Sequence, residues 1–143
     1  MNRPSSERLA LLLNASVLAL GMLASACGAT LKDVTFNVNE NGKQVAVKKM
    51  YTDGFGGTAA TQAFEAVQKG DMPTAFKILE GDVGLHPTFA WNHYDLGILH
   101  ETQGSWEKAE VEMKEAIRIE GPKGVSTKTY NEELAFIVAH KPK

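Results

Sequence analysis

The amino-acid sequence predicts a mainly α-helical fold, with two helix-turn-helix units and a final helix preceded by a short β-hairpin. Three observations predict this class. Apolar and polar residues alternate within residues 31–52, as they do in strands. From Thr58 onward apolar residues recur at three- and four-residue steps, as on one face of a helix. Two glycine-containing turns, at Gly70 and Gly104, lie 34 residues apart.

The N-terminal segment has the pattern of an export signal. Arg3 and Arg8 precede an apolar run, and the small-residue stretch LASAC follows it at residues 23–27. A charged segment, an apolar segment and a small-residue processing site in this order direct secretion. Cys27 is the only cysteine, so disulfides are not expected to stabilise the fold.

Residues 31–52 are predicted to form a β-hairpin. Asn41-Gly42 stands between the two alternating runs and readily supplies the positive φ angles of a tight turn. Because two strands alone are marginally stable, the hairpin is expected to pack on another element or to remain partly mobile. The glycine-rich residues 53–57 read as a joint to the helices. The predicted apolar face comprises Val34, Phe36, Val38, Val45 and Val47, extended by Lys49.

Five helices are predicted after this joint. Gly70 ends the first, and Asp71 is the expected N-cap of the second, with Pro73 in its first turn. Gly104 separates the next pair in the same manner, with Ser105 as the expected cap. The fifth helix is predicted to run from Thr127 to His140, with an apolar face of Tyr130, Leu134, Ile137 and Val138 and a capping-box spacing between Thr129 and Glu132.

The 34-residue period extends beyond the turns. Further pairs at this spacing are Ala75 with Ala109, Val83 with Ile117, Leu85 with Ile119 and Phe55 with Phe89. A helix-turn-helix period of this length is the signature of the tetratricopeptide repeat, and residues 56–122 resemble that family. The clearest matches are Leu96-Gly97, the aromatic Trp106 and the small residues Ala109 and Ala116. A generic helical bundle is the alternative.

The N-terminal segment resembles the lipobox signal of bacterial lipoproteins. This resemblance implies that Cys27 carries a diacylglyceryl group and becomes the first residue after processing. Two or more acyl chains hold a protein stably at a membrane. Gly28 follows the cysteine in place of a retention aspartate, so the resemblance favours the periplasmic face of the outer membrane in a Gram-negative source. The alternatives are an unlipidated secretory signal and an uncleaved anchor over residues 9–26.

The predicted organisation therefore has three parts. Residues 1–26 are a lipoprotein signal peptide, residues 27–57 are a linker and the β-hairpin, and residues 58–143 are a tetratricopeptide-like helical domain. The part after the signal is large enough for one modest core and too small for two independent domains.

The repeat resemblance also implies a concave groove for a protein or peptide partner, lined by the first helix of each repeat. The positions carried over from the family are Phe64 and Val67 in the first repeat and Trp91, Tyr94, Ile98 and Glu101 in the second. Trp and Tyr supply much of the binding energy at protein interfaces. The alternative is that the hairpin or the last helix covers these side chains and makes them core.

The sequence predicts a binding protein without catalytic residues or cofactors. The net charge is −2, without the clustered basic patch of nucleic-acid-binding proteins. Nucleophile-elbow, phosphate-loop and HExxH motifs do not occur. His93 and His100 lie about 10 Å apart along a helix, too far to chelate one metal ion alone. We therefore expect a membrane-anchored scaffold lipoprotein of the cell envelope with no small-molecule substrate. The alternative is a secreted, unanchored small-ligand-binding or enzyme-accessory domain.

Overall fold

The structure is a computed structural model, and it describes residues 30–40, 43–54 and 58–142. Two strands precede five helices in these residues. The elements are β1 (Leu31–Glu40), β2 (Lys43–Thr52), α1 (Ala59–Gln68), α2 (Met72–Leu85), α3 (Ala90–Thr102), α4 (Trp106–Glu120) and α5 (Thr127–His140). The predicted mainly helical class with a preceding hairpin is confirmed. None of the helices in the described ranges is long and apolar enough to cross a membrane.

The two strands pair antiparallel over their whole length. Val34 lies opposite Lys49, and Phe36 lies opposite Val47. Val34, Phe36 and Lys49 are all buried, which confirms the predicted inward face, because alternate residues of a strand point to the same side of a sheet. The predicted turn residues, Asn41 and Gly42, lie outside the described residues.

The start of α2 follows its sequence signals. The Asp71 carboxylate accepts a hydrogen bond from the Thr74 backbone N–H at 3.2 Å, and Pro73 lies in the first turn. Ser105 occupies the equivalent position before α4, but its side chain makes no capping hydrogen bond. Ser105 therefore marks the boundary of the helix without capping it.

The predicted bounds of α5 are confirmed, but its predicted capping box and the full width of its predicted apolar face are not. Ser126 is the N-cap residue and the helix begins at Thr127, so the predicted capping box of Thr129 and Glu132 is wrong because Thr129 already lies within the first turn. Val138 is 55% exposed. The apolar face turned to the core is therefore narrower than predicted.

The two interhelical turns have the same backbone geometry. Gly70 has φ 75° and Gly104 has φ 73°, a conformation that glycine adopts without a steric penalty. The residue after each glycine donates its N–H to a carbonyl five residues earlier, Ala66 at 2.9 Å and His100 at 2.8 Å. The 34-residue spacing in the sequence therefore corresponds to a repeated turn.

Helix α3 lies at the centre of the protein. It packs between α2 and α4 and also contacts the hairpin, and all of its residues except Trp91 are buried. A Cβ atom at Gly97 would lie only 3.2 Å from Cε of Met113 and 3.4 Å from the carbonyl oxygen of Ala109. The absence of a side chain at Gly97 thus lets α3 and α4 approach closely.

The hairpin and the helices share one hydrophobic core. Val34, Phe36 and Tyr51 from the strands belong to the same buried cluster as the helical residues. The Tyr51 ring lies 6.1 Å from the Phe36 ring and 6.2 Å from the Phe64 ring, centroid to centroid. The expectation that the hairpin packs on another element is confirmed.

Candidate functional site

The hairpin lies on the part of α3 that the repeat resemblance assigns to a partner groove. Tyr94 and Ile98 are fully buried. The Tyr94 hydroxyl donates a hydrogen bond to the Met50 carbonyl at 3.0 Å, and its ring stacks on Tyr130 at a centroid distance of 4.7 Å. These two side chains are core residues in this structure.

The other predicted partner-binding residues are divided among different surroundings. Val67 is buried and Phe64 is half-buried against Tyr51. Trp91 is half-buried and stacks on Phe89 at 5.0 Å, in a separate depression that also includes His86. The structure therefore does not present the predicted strip as one open groove, because the apolar face of the hairpin packs against much of it. Partner binding through the covered side chains stays a prediction that requires the hairpin to leave.

A buried ion cluster joins the hairpin to the helices beside this covered strip. The Lys49 ammonium lies 2.7 Å from Oε1 of Glu101 on α3 and 2.7 Å from Oε1 of Glu133 on α5. It also lies 3.6 Å from the centroid of the Phe136 ring, a cation–π contact. Glu101 and Lys49 are almost inaccessible, with side-chain exposures of 5% and 7%. The second strand is therefore tied to two helices by one ammonium group.

The cluster contains two carboxyl groups and one cation. Oε2 of Glu101 is buried and has no hydrogen-bond partner among the described residues. Burial, together with the neighbouring Glu133 carboxyl, raises the pKa of Glu101 to about 8, because both effects disfavour the charged form. Glu101 therefore retains a proton at pH values where an exposed glutamate is ionised.

A second polar contact connects the end of β2 to α3. The Asp95 carboxylate accepts a hydrogen bond from the Thr52 backbone N–H at 2.9 Å and another from the Thr52 hydroxyl. Asp95 is fully buried, and burial raises its pKa well above the usual range. The contact between the hairpin and α3 therefore includes titratable groups as well as apolar surface.

An open cleft of about 720 Å³ lies where the hairpin, the C-terminal end of α3 and the C-terminal end of α5 meet. Three aromatic side chains line it. The Phe136 and His140 rings stack at a centroid distance of 3.9 Å, and the Trp106 ring lies 6.5 Å from His140. The remaining lining residues are Asn37, Val38, Gln44, Val47, Glu101, Thr102, Gln103, Gly104 and Pro142.

This cleft has the character of a binding site. Its volume falls in the range of about 300–1,000 Å³ found for small-molecule sites, which combine apolar walls with a few polar groups. Glu101 is one of the predicted groove residues, and it also lines this cleft. Sequence reasoning missed the cleft because its lining comes from distant segments. The one local signal was the i, i+4 pair Phe136 and His140, which places two rings on one helix face.

The two histidines on α3 make separate contacts. Nδ1 of His93 lies 2.7 Å from Oε2 of Glu112, and Nε2 lies 3.1 Å from the Pro87 carbonyl oxygen. The hydrogen bond to Glu112 raises the pKa of His93. His100 packs against the Phe76 ring at 5.1 Å, and burial lowers its pKa. Within the residues that the structure describes, no three His, Cys, Asp or Glu side chains are placed to hold a metal ion.

Comparison with known proteins gives no match, so the class of protein is assigned from the fold and the cleft alone. No family model matches the chain, and no curated protein or solved structure matches it either. On its own geometry, the chain is a small helical protein with a packed β-hairpin and an aromatic cleft.

Proposed function

We propose that this protein is a membrane-anchored binding protein of the bacterial cell envelope, which holds a segment of a partner protein in the aromatic cleft. The observation that carries the proposal is the open cleft lined by Trp106, Phe136 and His140. Aromatic side chains bury large rigid area at low entropic cost, and they are enriched at binding hot spots. The 34-residue helical period supports the same class, since tetratricopeptide-like repeats are interaction modules.

The position of the cleft explains how the protein could bind a partner while its hairpin stays in place. The hairpin contacts Tyr94, and Tyr94 and Ile98 are both buried, whereas the cleft lies at the C-terminal end of α3, where Gln103 and Gly104 are exposed. A partner segment can therefore reach the cleft without displacing core contacts. Binding of this kind costs little reorganisation of the protein.

The membrane anchor rests on the sequence around Cys27, which lies outside the described residues. We expect the native protein to incorporate an alkyne analogue of palmitate in its bacterial host and to sediment with membranes. The Cys27→Ser variant should lose the label and move to the soluble fraction, because one acylated residue supplies the anchor. Labelling is measured by fluorophore conjugation in gels. A native protein without label, or a label that persists in Cys27→Ser, contradicts the anchor.

The partner claim predicts site-specific crosslinking from the cleft. A photoreactive amino acid at Gln103, an exposed residue that lines the cleft, should give a discrete crosslinked product in intact cells. The matched control is the same group at Leu85, which is 77% exposed and lies outside the cleft. The proposal predicts a product at Gln103 that is absent at Leu85 and is reduced by Trp106→Ala. Equal products at both positions, or none at Gln103, contradict it.

The volume of the cleft favours one alternative, a secreted protein that binds a small ligand. A cavity of about 720 Å³ can enclose such a ligand. The acylation experiment and the crosslinking experiment together distinguish the small-ligand protein from the anchored binding protein. An unlabelled Cys27 together with an uncrosslinked Gln103 is the result expected for the small-ligand protein, whereas acylation and crosslinking support the anchored binding protein.

A further inference from the structure

The ionisable groups in and next to the cleft include more carboxyl groups than cations. Glu101 and His140 are the ionisable residues among those that line it. Nδ1 of His140 is hydrogen-bonded to the Phe136 carbonyl at 2.8 Å. Behind Glu101, the single Lys49 ammonium contacts both Glu101 and Glu133. The cleft is therefore bordered by two carboxyl groups and one cation.

In this cluster, a side-chain oxygen of Glu101 lacks a hydrogen-bond donor within the part of the chain that the structure describes. Its Oε1 contacts Lys49, while Oε2 is buried and has no hydrogen-bond partner among the described residues. When Glu101 is ionised, this oxygen is a buried carboxylate oxygen without a donor, which is costly, and a charged donor is its most favourable partner. The ionised cluster can therefore accept one more N–H donor group, whose positive charge replaces the proton that Glu101 otherwise retains.

The aromatic lining suits the same kind of group. The faces of aromatic rings attract ammonium and guanidinium ions, and Trp attracts them most strongly. Lys49 already shows this contact with the Phe136 ring at 3.6 Å. The Trp106 indole is half-buried and offers a second ring to the aliphatic stem and charged end of a basic side chain.

We propose that the cleft receives a basic side chain, a lysine or an arginine of the partner protein, whose charged end bonds to Glu101 and whose stem packs against Trp106. This inference rests on the proposed function, and it names the chemistry of the partner segment. With Glu101 ionised, the cluster holds two carboxylates and one ammonium group, and this charge balance together with the unpartnered buried oxygen favours a cation over a neutral or anionic side chain.

The test uses the two tryptophans of the full chain in detergent micelles. The probe is N-acetyl-lysine-N′-methylamide, and its matched control is the norleucine analogue, which lacks the ammonium group. We expect the lysine probe to shift the Trp106 indole N–H resonance and to leave Trp91, which lies outside the cleft, in place. The norleucine analogue should bind at least tenfold more weakly. Equal binding of the two probes, or shifts at Trp91 alone, overturns the proposal.

Glu101→Gln keeps the shape of the side chain and removes its charge. We expect it to weaken binding of the lysine probe at least tenfold and to leave norleucine binding unchanged. In the native protein the lysine probe should bind more tightly at pH 9 than at pH 6.5, because a cation stabilises the ionised form of Glu101. The other ionisable groups that face Glu101 or line the cleft are Lys49 on β2 and Glu133 and His140 on α5.

A second variant keeps the proposal testable where Glu101→Gln impairs folding. Trp106→Leu removes the indole without touching the Lys49 cluster, and it should weaken lysine binding as followed by the Gln103 amide resonance. An undiminished affinity in a folded Trp106→Leu protein contradicts the proposed stem contact. Crosslinking at Gln103 without binding of the lysine probe overturns the inference and leaves the proposed function intact. If neither crosslinking nor lysine binding is observed, both the inference and the proposed function are contradicted.

Discussion

Replacing Lys49 with alanine is expected to destabilise the protein by about 3 kcal/mol, within the range for breaking a buried ion pair. The variant leaves the buried Glu101 and the half-buried Glu133 carboxyl groups without their shared cation, and it also removes the cation–π contact with Phe136. A loss of this size lowers the thermal midpoint of a domain of this length by about 10 °C. Thermal unfolding followed by circular dichroism measures the change.

Lys48→Ala is the matched control. Lys48 is adjacent on the same strand, but it points away from the helices and is exposed, so its loss should change stability by less than about 0.5 kcal/mol. Equal effects of the two substitutions would show that the buried cluster does not hold the hairpin. A large loss confined to Lys49→Ala supports the arrangement described above.

The second large effect is a dependence of stability on pH, and its direction is opposite to that produced by a carboxylate whose pKa is lowered on folding. The pKa of Glu101 is raised to about 8 in the folded protein from a usual value of 4.5. The folded state therefore keeps a proton that the unfolded chain releases. The contribution of Glu101 to stability is complete below pH 4.5, declines as pH rises, and is lost above about pH 8.

We expect the urea midpoint of the native protein to fall between pH 5 and pH 8.5, and the change to be much smaller in Glu101→Gln. Each pH unit in this window changes the free energy of unfolding by at most about 1.4 kcal/mol for one titrating group. We therefore expect the pH-dependent changes in the free energy of unfolding to differ by a few kcal/mol between the two proteins. Asp95 and His93, whose pKa values are also raised, act in the same direction. His100, whose pKa is lowered, acts in the opposite direction.

Glu65→Gln is the control for the pH experiment. Glu65 is an exposed glutamate on α1, so its substitution makes the same chemical change in a side chain outside the buried cluster. The Glu65→Gln protein should follow the native pH dependence. Parallel pH dependence in native and Glu101→Gln proteins would contradict the assignment of the titrating group to Glu101.

Local features of the fold could be predicted because they depend on neighbouring residues. The alternation that places Phe36 and Lys49 on one side of the hairpin is a property of any strand. The turn glycines, Gly70 and Gly104, signal their positions because other residues resist a positive φ. The bounds of α5 follow from helical periodicity in the same way.

The partners of these residues could not be predicted. Lys49 was expected on the apolar face, but Glu101 and Glu133 are distant in sequence, and nothing local links them to the strand. The cleft is a similar case, since Gln103 and Phe136 meet only after α3 and α5 have packed. Long-range contacts depend on the summed packing of many residues, which short sequence windows do not contain.

The sequence by itself determined the mainly helical class, the hairpin before it and the repeated turn, since local backbone preferences and apolar periodicity control these features. Tertiary structure alone decided that the hairpin packs on α3 at Tyr94, leaving the aromatic cleft open at the end of α3. The physical reason is that an apolar hairpin face must be buried against some surface, and only the assembled helices establish which surface it meets.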